Sequence, residues 1–223
     1  MTQGWTQPPV PSQPAGGCAV YALAGNPEIL RAAARAASPA ARCGGARFTA
    51  VSAMGAEALV CYRLDEAEAG RRRLAGAGAI TSADALELLL GLPVGMPVPV
   101  TSLTRREEGA LKVAPPGAVS IRNGQVTRHA VAPVTAELAV VAGRSWRYGL
   151  EKAGRFAPFC ARAVVLRRRP RDLAEAQLQA GFYGVGVIDA QSGEVLVAPA
   201  PFRRHRWTAA GWRFLEEVYQ AAR

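Results

Sequence analysis

"TAELAVVAGRSWRYGLEKAGRFAPFCARAVVLRRRP", from Thr135 to Pro170, reads as strand, amphipathic helix, strand and basic cluster. Within the helical stretch Trp146, Leu150, Ala153 and Ala157 recur at spacings of three and four, which places them on one buried face. "ARAVVL" is apolar at successive positions, the pattern of a central strand covered by helices on both sides. The first strand carries one carboxylate, Glu137, with Ala139 two residues on. A strand–helix–strand unit of this kind specifies an α/β architecture.

Outward from that unit the pattern stays regular. Upstream, "GAVSIRNGQVTRHAV" alternates around Asn123-Gly124 and predicts a hairpin beside the Glu137 strand. "TRREEGALKVAP" opens with the capping-box pair Thr104 and Glu107, with Leu103, Ala110, Leu111 and Ala114 as its inner stripe. "TSADALELLLGL" predicts a helix capped by Thr81 or Ser82, and Pro93, Pro97 and Pro99 interrupt the chain after it. Downstream, "RDLAEAQLQA" predicts a helix stopped at Gly181. "GFYGVGVIDA" and "EVLVAPAP" predict two strands turned by Gln191-Ser192-Gly193, and "TAAGWRFLEEVYQAAR" a closing helix.

The beginning of the chain divides into two parts. Residues 1–17 are rich in Pro, Gln and Gly and are expected to form a disordered tail. Residues 18–80 are expected to form a small β-α-β-β-α unit. Its parts are the strand "CAVYALAG", a helix from Asn26-Pro27 to Ser38-Pro39, two strands joined near Gly55, and the helix "DEAEAGRRRLAG". Residues 81–223 are then the main α/β domain.

Composition narrows the setting. The 223 residues contain no apolar run of the ~18 residues that cross a bilayer, and the N-terminus lacks a signal-peptide pattern. Neither feature implies a membrane partner. The four cysteines (Cys18, Cys43, Cys61, Cys160) form no C-x-x-C pair, so reduced thiols and a cytoplasmic location are expected, although an even count also permits two disulfides. Lys+Arg number 27 against 17 Asp+Glu, for a net charge of +10, and only Lys112 and Lys152 are lysine. Guanidinium forks match phosphate oxygens. Yet the Ala, Gly, Arg and Pro richness has a bacterial, GC-rich look that accounts for the arginine excess without any acidic partner.

Several chemistries lack their residues. His129 and His205 are too few and too far apart for a triad or a metal site, and Ser145 and Ser192 have no evident base. The "GVG" at Gly184 to Gly186 falls in a predicted strand with no helix after it, which excludes a dinucleotide fingerprint.

Hairpin, strand with a glutamate, helix, apolar strand, helix, strand: over roughly residues 104–200 this order resembles the core of the PD-(D/E)XK nuclease-like superfamily. "AELAVVAG" resembles the E-x-K strand, and "SWRYGLEKAGRFA" the tryptophan-containing helix after it. "ARAVVL" resembles the next core strand, and "AGFYGVGVID" with "EVLVAPAP" the late glycine-rich pair. The resemblance implies a restriction-endonuclease-like mixed sheet flanked by helices. In active members an Asp and a Glu hold a divalent cation and a nearby Lys serves the attacking water, because hard oxygen ligands suit Mg²⁺ and the metal offsets charge building on the phosphate.

Here Glu137 matches the Glu, Ala139 stands at the Lys position, and the 117–131 hairpin has no Asp or Glu. Ser120, Asn123, Gln125 and His129 are its polar, non-basic residues, and Lys152 on the following helix is the candidate substitute for the missing lysine. A degenerate site follows, with Glu137 as its vestige and no cofactor; Mg²⁺ enters only if the site is active. Glu137 as an ordinary edge-facing strand residue fits the sequence equally.

The expected function is that of a non-catalytic, nuclease-like domain that binds DNA or RNA or regulates a nucleic-acid-associated partner. The alternatives are a protein-interaction or structural module, using residues 18–80 as its contact surface, and a residual metal-dependent nuclease. The candidate phosphate contacts are Arg144, Arg147, Arg167, Arg168, Arg169, Arg203, Arg204 and Arg206, with Trp207 or Trp212 available for stacking. The opposing reading has these arginines dispersed and solvated and Trp146, Trp207 and Trp212 in the core. "TRREEGALKVAP" with its hairpin also resembles the end of a winged helix, which would set Arg105, Arg106, Lys112, Arg122 and Arg128 on DNA.

Overall fold

The strand that carries Glu137 lies inside a six-stranded mixed sheet, in a computed structural model that describes residues 27–223. Counting from residue 27, the strands of this sheet are β1 (Arg47–Ala53), β2 (Ala56–Leu64), β6 (Val134–Gly143), β7 (Ala161–Leu166), β8 (Gly186–Asp189) and β9 (Val195–Val197), in that spatial order. β6, β7 and β8 run parallel, while β2 and β9 are antiparallel to their neighbours. The chain is therefore α/β, with helices on both faces. The predicted tail, the strand "CAVYALAG" and Cys18 lie outside the described residues.

Two apolar layers hold the sheet. On one face Ala139, Val141, Val164 and Leu166 pack with Trp146 and Ala153 of α6 (Trp146–Gly154) and with Phe214, Leu215 and Val218 of α8 (Ala209–Ala221). On the other, Leu138, Val140, Ala163 and Val165 pack with Leu30, Ala33 and Ala34 of α1 (Pro27–Ala37) and with Ala41 of the short α2 (Pro39–Arg42). β7 is thus apolar on both sides, as its sequence predicts. Gly149 lets α6 descend onto it: a Cβ there would sit 2.3 Å from Val164 Cγ1.

One expected neighbour is wrong. The hairpin at β4 (Val119–Arg122) and β5 (Gln125–Arg128) forms, with Asn123 and Gly124 both at positive φ, but it does not border the Glu137 strand. It pairs instead with β3 (Pro97–Pro99) in a separate three-stranded sheet of order β3-β5-β4. The strand beside β6 is β2, whose hairpin with β1 turns at Met54-Gly55. Burial decides the matter: β2 is buried at five successive positions from Ala58 to Tyr62, whereas β4–β5 keeps one face in water. β1 and β2 therefore complete the main sheet, and residues 65–133 depart from it and return.

That excursion holds α3 (Glu66–Leu74), α4 (Ala83–Gly91), a single 3₁₀ turn at Val100–Ser102, α5 (Arg105–Lys112) and the small sheet. Ser82 caps α4, and the Thr104–Glu107 capping box forms at α5 as predicted. The excursion is tied to the main domain by a buried ionic cluster. Arg72 of α3, 1% exposed, hydrogen-bonds Glu68 and both carboxylate oxygens of Glu216 on α8, while Glu216 also accepts from Ile80 N and Trp212 Nε1. Finally, α7 (Leu173–Tyr183) runs through Gly181 and stops at Gly184, whose φ of 65° is left-handed.

Candidate nucleic-acid interface

Glu137 sits at an irregularity in its strand. Cys61 pairs with Leu138 and Tyr62 with Ala136, so Glu137 is the extra residue, the signature of a β-bulge. The bulge turns its side chain toward α1 and α2, where it lines a cavity of about 460 Å³ with Ser38, Pro39, Thr135, Phe202 and Arg204. Ala139 points the other way, into the core with Phe156 and Phe214, and is fully buried. Glu137 and the position two residues on therefore do not share a face.

The cationic neighbour of Glu137 comes from the adjacent strand. Arg63 of β2 forms an ion pair with Glu137 Oε1, the two side chains being 58% and 20% exposed. The contact is ionic rather than a well-directed hydrogen bond, since that oxygen has no donor in hydrogen-bonding geometry. Ser120 and Gln125 lie in the other sheet, Asn123 in its turn and His129 just after it, and none lines the Glu137 cavity; Ser120 Oγ and His129 Nε2 bond each other at 2.8 Å. Lys152 places its ammonium over the Tyr148 ring on α6 and is absent from the Glu137 cavity. Among the described residues no group of three His, Cys, Asp or Glu could hold a metal ion.

The eight candidate arginines fall into two groups at opposite ends of the parallel strands. Arg144 and Arg147 follow the end of β6, and Arg167, Arg168 and Arg169 follow the end of β7. Arg203, Arg204 and Arg206 lie where the chain has returned through antiparallel β9 to the beginning of β7, Arg204 donating to Phe159 O at 3.3 Å. Six-residue β7 separates the two groups by roughly 17 Å. At the far end much of the charge is already compensated: Arg147 pairs with Glu175, and Arg169 with Asp189 and Glu194. Arg167 and Arg168 are exposed.

The near end is different in kind. A second cavity, about 780 Å³, shares Thr135 and Arg204 with the first and adds Asp65, Arg128, Trp207 and Trp212. Arg204 lies 4.7 Å from the Trp207 ring centroid and 5.5 Å from that of Phe202. Trp207 meets Trp212 edge-on at 6.3 Å, and Arg128 stacks 4.7 Å from Trp212. Trp212 and Trp146 are core residues; Trp207 is 51% exposed. Neither Arg128 nor Arg204 takes part in any ion pair among the described residues, and burial pulls both guanidinium pKa values down. Sequence reading did not find Arg63, which depends on the pairing of β2 with β6, nor Asp65 and the pairing of Arg128 with Trp212, which depend on how residues 65–133 fold back on the main sheet.

The winged-helix positions are reached only in part. Arg105, Lys112 and Arg122 are exposed on α5 and the β4–β5 turn. Arg106 is tied to Asp84 and Glu87, and Arg128 turns inward to the carbonyls of Leu89, Leu92 and Ala130. Arg128 is therefore a structural residue of the excursion and not a free recognition contact. No helix of the described residues is long and apolar enough to cross a membrane.

Comparison with family models, with curated proteins and with solved structures returned no match to this chain.

Proposed function

We propose that the chain is a non-catalytic, nuclease-like domain that holds nucleic acid at the Arg204 end of its sheet. The observation that carries this reading is the Arg63–Glu137 pair. In an active PD-(D/E)XK site a second carboxylate joins the glutamate around a metal ion. Here the strand next to Glu137 supplies a guanidinium, which neutralises the carboxylate and leaves no charge for Mg²⁺ to satisfy. Part of the order that suggests the resemblance is consistent with it: glutamate strand β6, apolar β7 and β8 are consecutive neighbours in one mixed sheet, whereas the hairpin at residues 118–131 lies in the other sheet and β2 of the β1–β2 hairpin borders β6.

Nucleic acid suits the near end because exposed Arg203 and Arg206 neighbour in sequence a cleft lined by Arg204, which makes no ion pair among the described residues, and by an open indole. The test is a mobility and cleavage assay with labelled DNA at low salt in Mg²⁺ or Mn²⁺. The expected result is retention of the DNA without strand breaks. Metal-dependent cleavage lost in Glu137→Ala would overturn the non-catalytic assignment, and absence of binding would overturn the nucleic-acid assignment. A protein-interaction role has one observation in its favour: α7 exposes Leu178 and Phe182, 75% and 81% accessible, one turn apart.

A further inference from the structure

We infer that the Trp207 cleft is a site for one unpaired nucleotide of a bound strand, the base stacked on Trp207 and its phosphate on Arg204; this rests on the nucleic-acid reading above. The cleft combines the two groups such a ligand needs. Arg204 covers one face of the Trp207 indole at 4.7 Å, yet Trp207 stays 51% exposed, which leaves the other face for a second planar partner. Trp212 and Leu215 line the same cleft, so the open indole stands beside an apolar wall. Arg204 makes no ion pair among the described residues: its guanidinium donates to the carbonyl of Phe159, while Asp65 across the cleft accepts from Glu68 N at 2.9 Å as the cap of α3.

Arg128 stacks on Trp212 and makes no ion pair among the described residues, its guanidinium donating to backbone carbonyls, so the inner wall carries positive charge. A guanidinium stays protonated at neutral pH even when burial lowers its pKa. Two cations that make no ion pair among the described residues, against the one carboxylate of Asp65, line a cleft of about 780 Å³ that also holds an exposed indole, and together they attract an anion that has a flat aromatic surface. A nucleotide meets both conditions. A base paired and stacked within a duplex cannot offer its face, whereas a base in a single strand or at a frayed end can. The site therefore discriminates unpaired from paired nucleic acid without reading sequence.

The test uses the full chain, a fluorescent single-stranded oligothymidine, a blunt duplex of the same length, and the variants Trp207→Ala and Trp207→Phe. Loss of the indole is expected to weaken single-strand binding roughly five- to 150-fold, the range that removal of one stacking platform produces. Phe at 207 should restore most of the affinity, and duplex binding should change by less than about twofold. Single-strand affinity that is unchanged in Trp207→Ala, or reduced by the same factor as duplex affinity, would overturn the inference while leaving the nucleic-acid reading in place. Wild-type protein that binds neither probe would overturn both. If Trp207→Ala fails to fold, Trp207→Phe decides alone: it must keep the preference for single strands. Thymidine 5′-monophosphate that binds as tightly as the oligothymidine would assign the cleft to a free nucleotide and overturn the strand assignment.

Discussion

Arg63 of β2 reaches across a register shift to neutralise Glu137, the one residue of β6 left without a strand partner at that point. Each residue accounts for the other: the bulge exposes a carboxylate on the α1–α2 side, and the neighbouring strand supplies its counter-charge. Arg63→Ala is expected to lower stability by roughly 1 kcal/mol, a small cost because Arg63 is more than half solvated. Glu137→Gln in the same background should recover part of it. A double-mutant cycle in urea measures the coupling; additivity within error would show that the pair is incidental.

The buried cluster around Arg72 should respond far more strongly. Glu216→Gln leaves Arg72, 1% exposed, with half of its counter-charge gone, and Arg72→Met strands buried Glu216 and leaves Glu68 to Arg71 alone. Each is expected to cost about 3–5 kcal/mol, the range for breaking one side of a buried pair. Denaturant midpoints measure this directly.

Acid should reveal the same cluster. Burial alone would raise the Glu68 pKa, but the hydrogen bonds and charges of Arg71 and Arg72 outweigh it and hold the value below the ordinary 4.5. A depressed carboxylate adds stability that is fully present above its unfolded pKa. That stability is lost as pH falls through the lower folded value. Urea midpoints should therefore drop as pH falls below about 4.5, and Glu68→Gln should flatten that drop while lowering stability at neutral pH. A variant with the wild-type acid slope would exclude Glu68 as its source.

The described thiols differ in reactivity. Burial lifts Cys61 to about 11 and Cys160 to about 12, while Cys43 is exposed. Because the thiolate is the reacting species, a disulfide reagent at mildly alkaline pH should modify Cys43 quickly in native protein and the other two only after unfolding. Peptide mapping of the labelled sites checks this.

What the sequence reveals of the fold is local. The β6–α6–β7 unit, both hairpins, the Thr104–Glu107 capping box and the dual apolar faces of β7 follow from patterns within a few residues. Which hairpin borders β6 is a long-range pairing, and a strong Asn-Gly turn says nothing about neighbours. The unbroken apolar run "ALVCY" in β2 carried the missing signal, since a strand buried on both faces needs partners on both edges. Gly181 is the stop of α7 that the sequence predicts, but the left-handed residue is Gly184, whose N–H bonds back to Ala180 and Gly181 and which lies close against Ala200. At the site, Glu137 and the arginine-rich segments were visible, but the split of those arginines between two ends of the sheet depends on β9 returning antiparallel to β8. Nothing in "FRRHR" separates Arg204 from its neighbours except its place between Phe202 and Trp207, which becomes meaningful once both rings are seen to flank it.

The most direct measurement compares the two ends. Duplex DNA affinity is titrated against salt for wild type, for Arg203→Ala with Arg206→Ala, and for Arg167→Ala with Arg168→Ala. All four residues are exposed and none of the ion pairs among the described residues uses them, so folding should be unaffected. Each lost phosphate contact lowers the magnitude of the log K against log salt slope by ~0.9, so the 203/206 pair should lower it by up to ~1.8 and the 167/168 pair should leave it unchanged. A slope reduced by the 167/168 pair and untouched by the 203/206 pair would contradict the placement of nucleic acid at the Arg204 end.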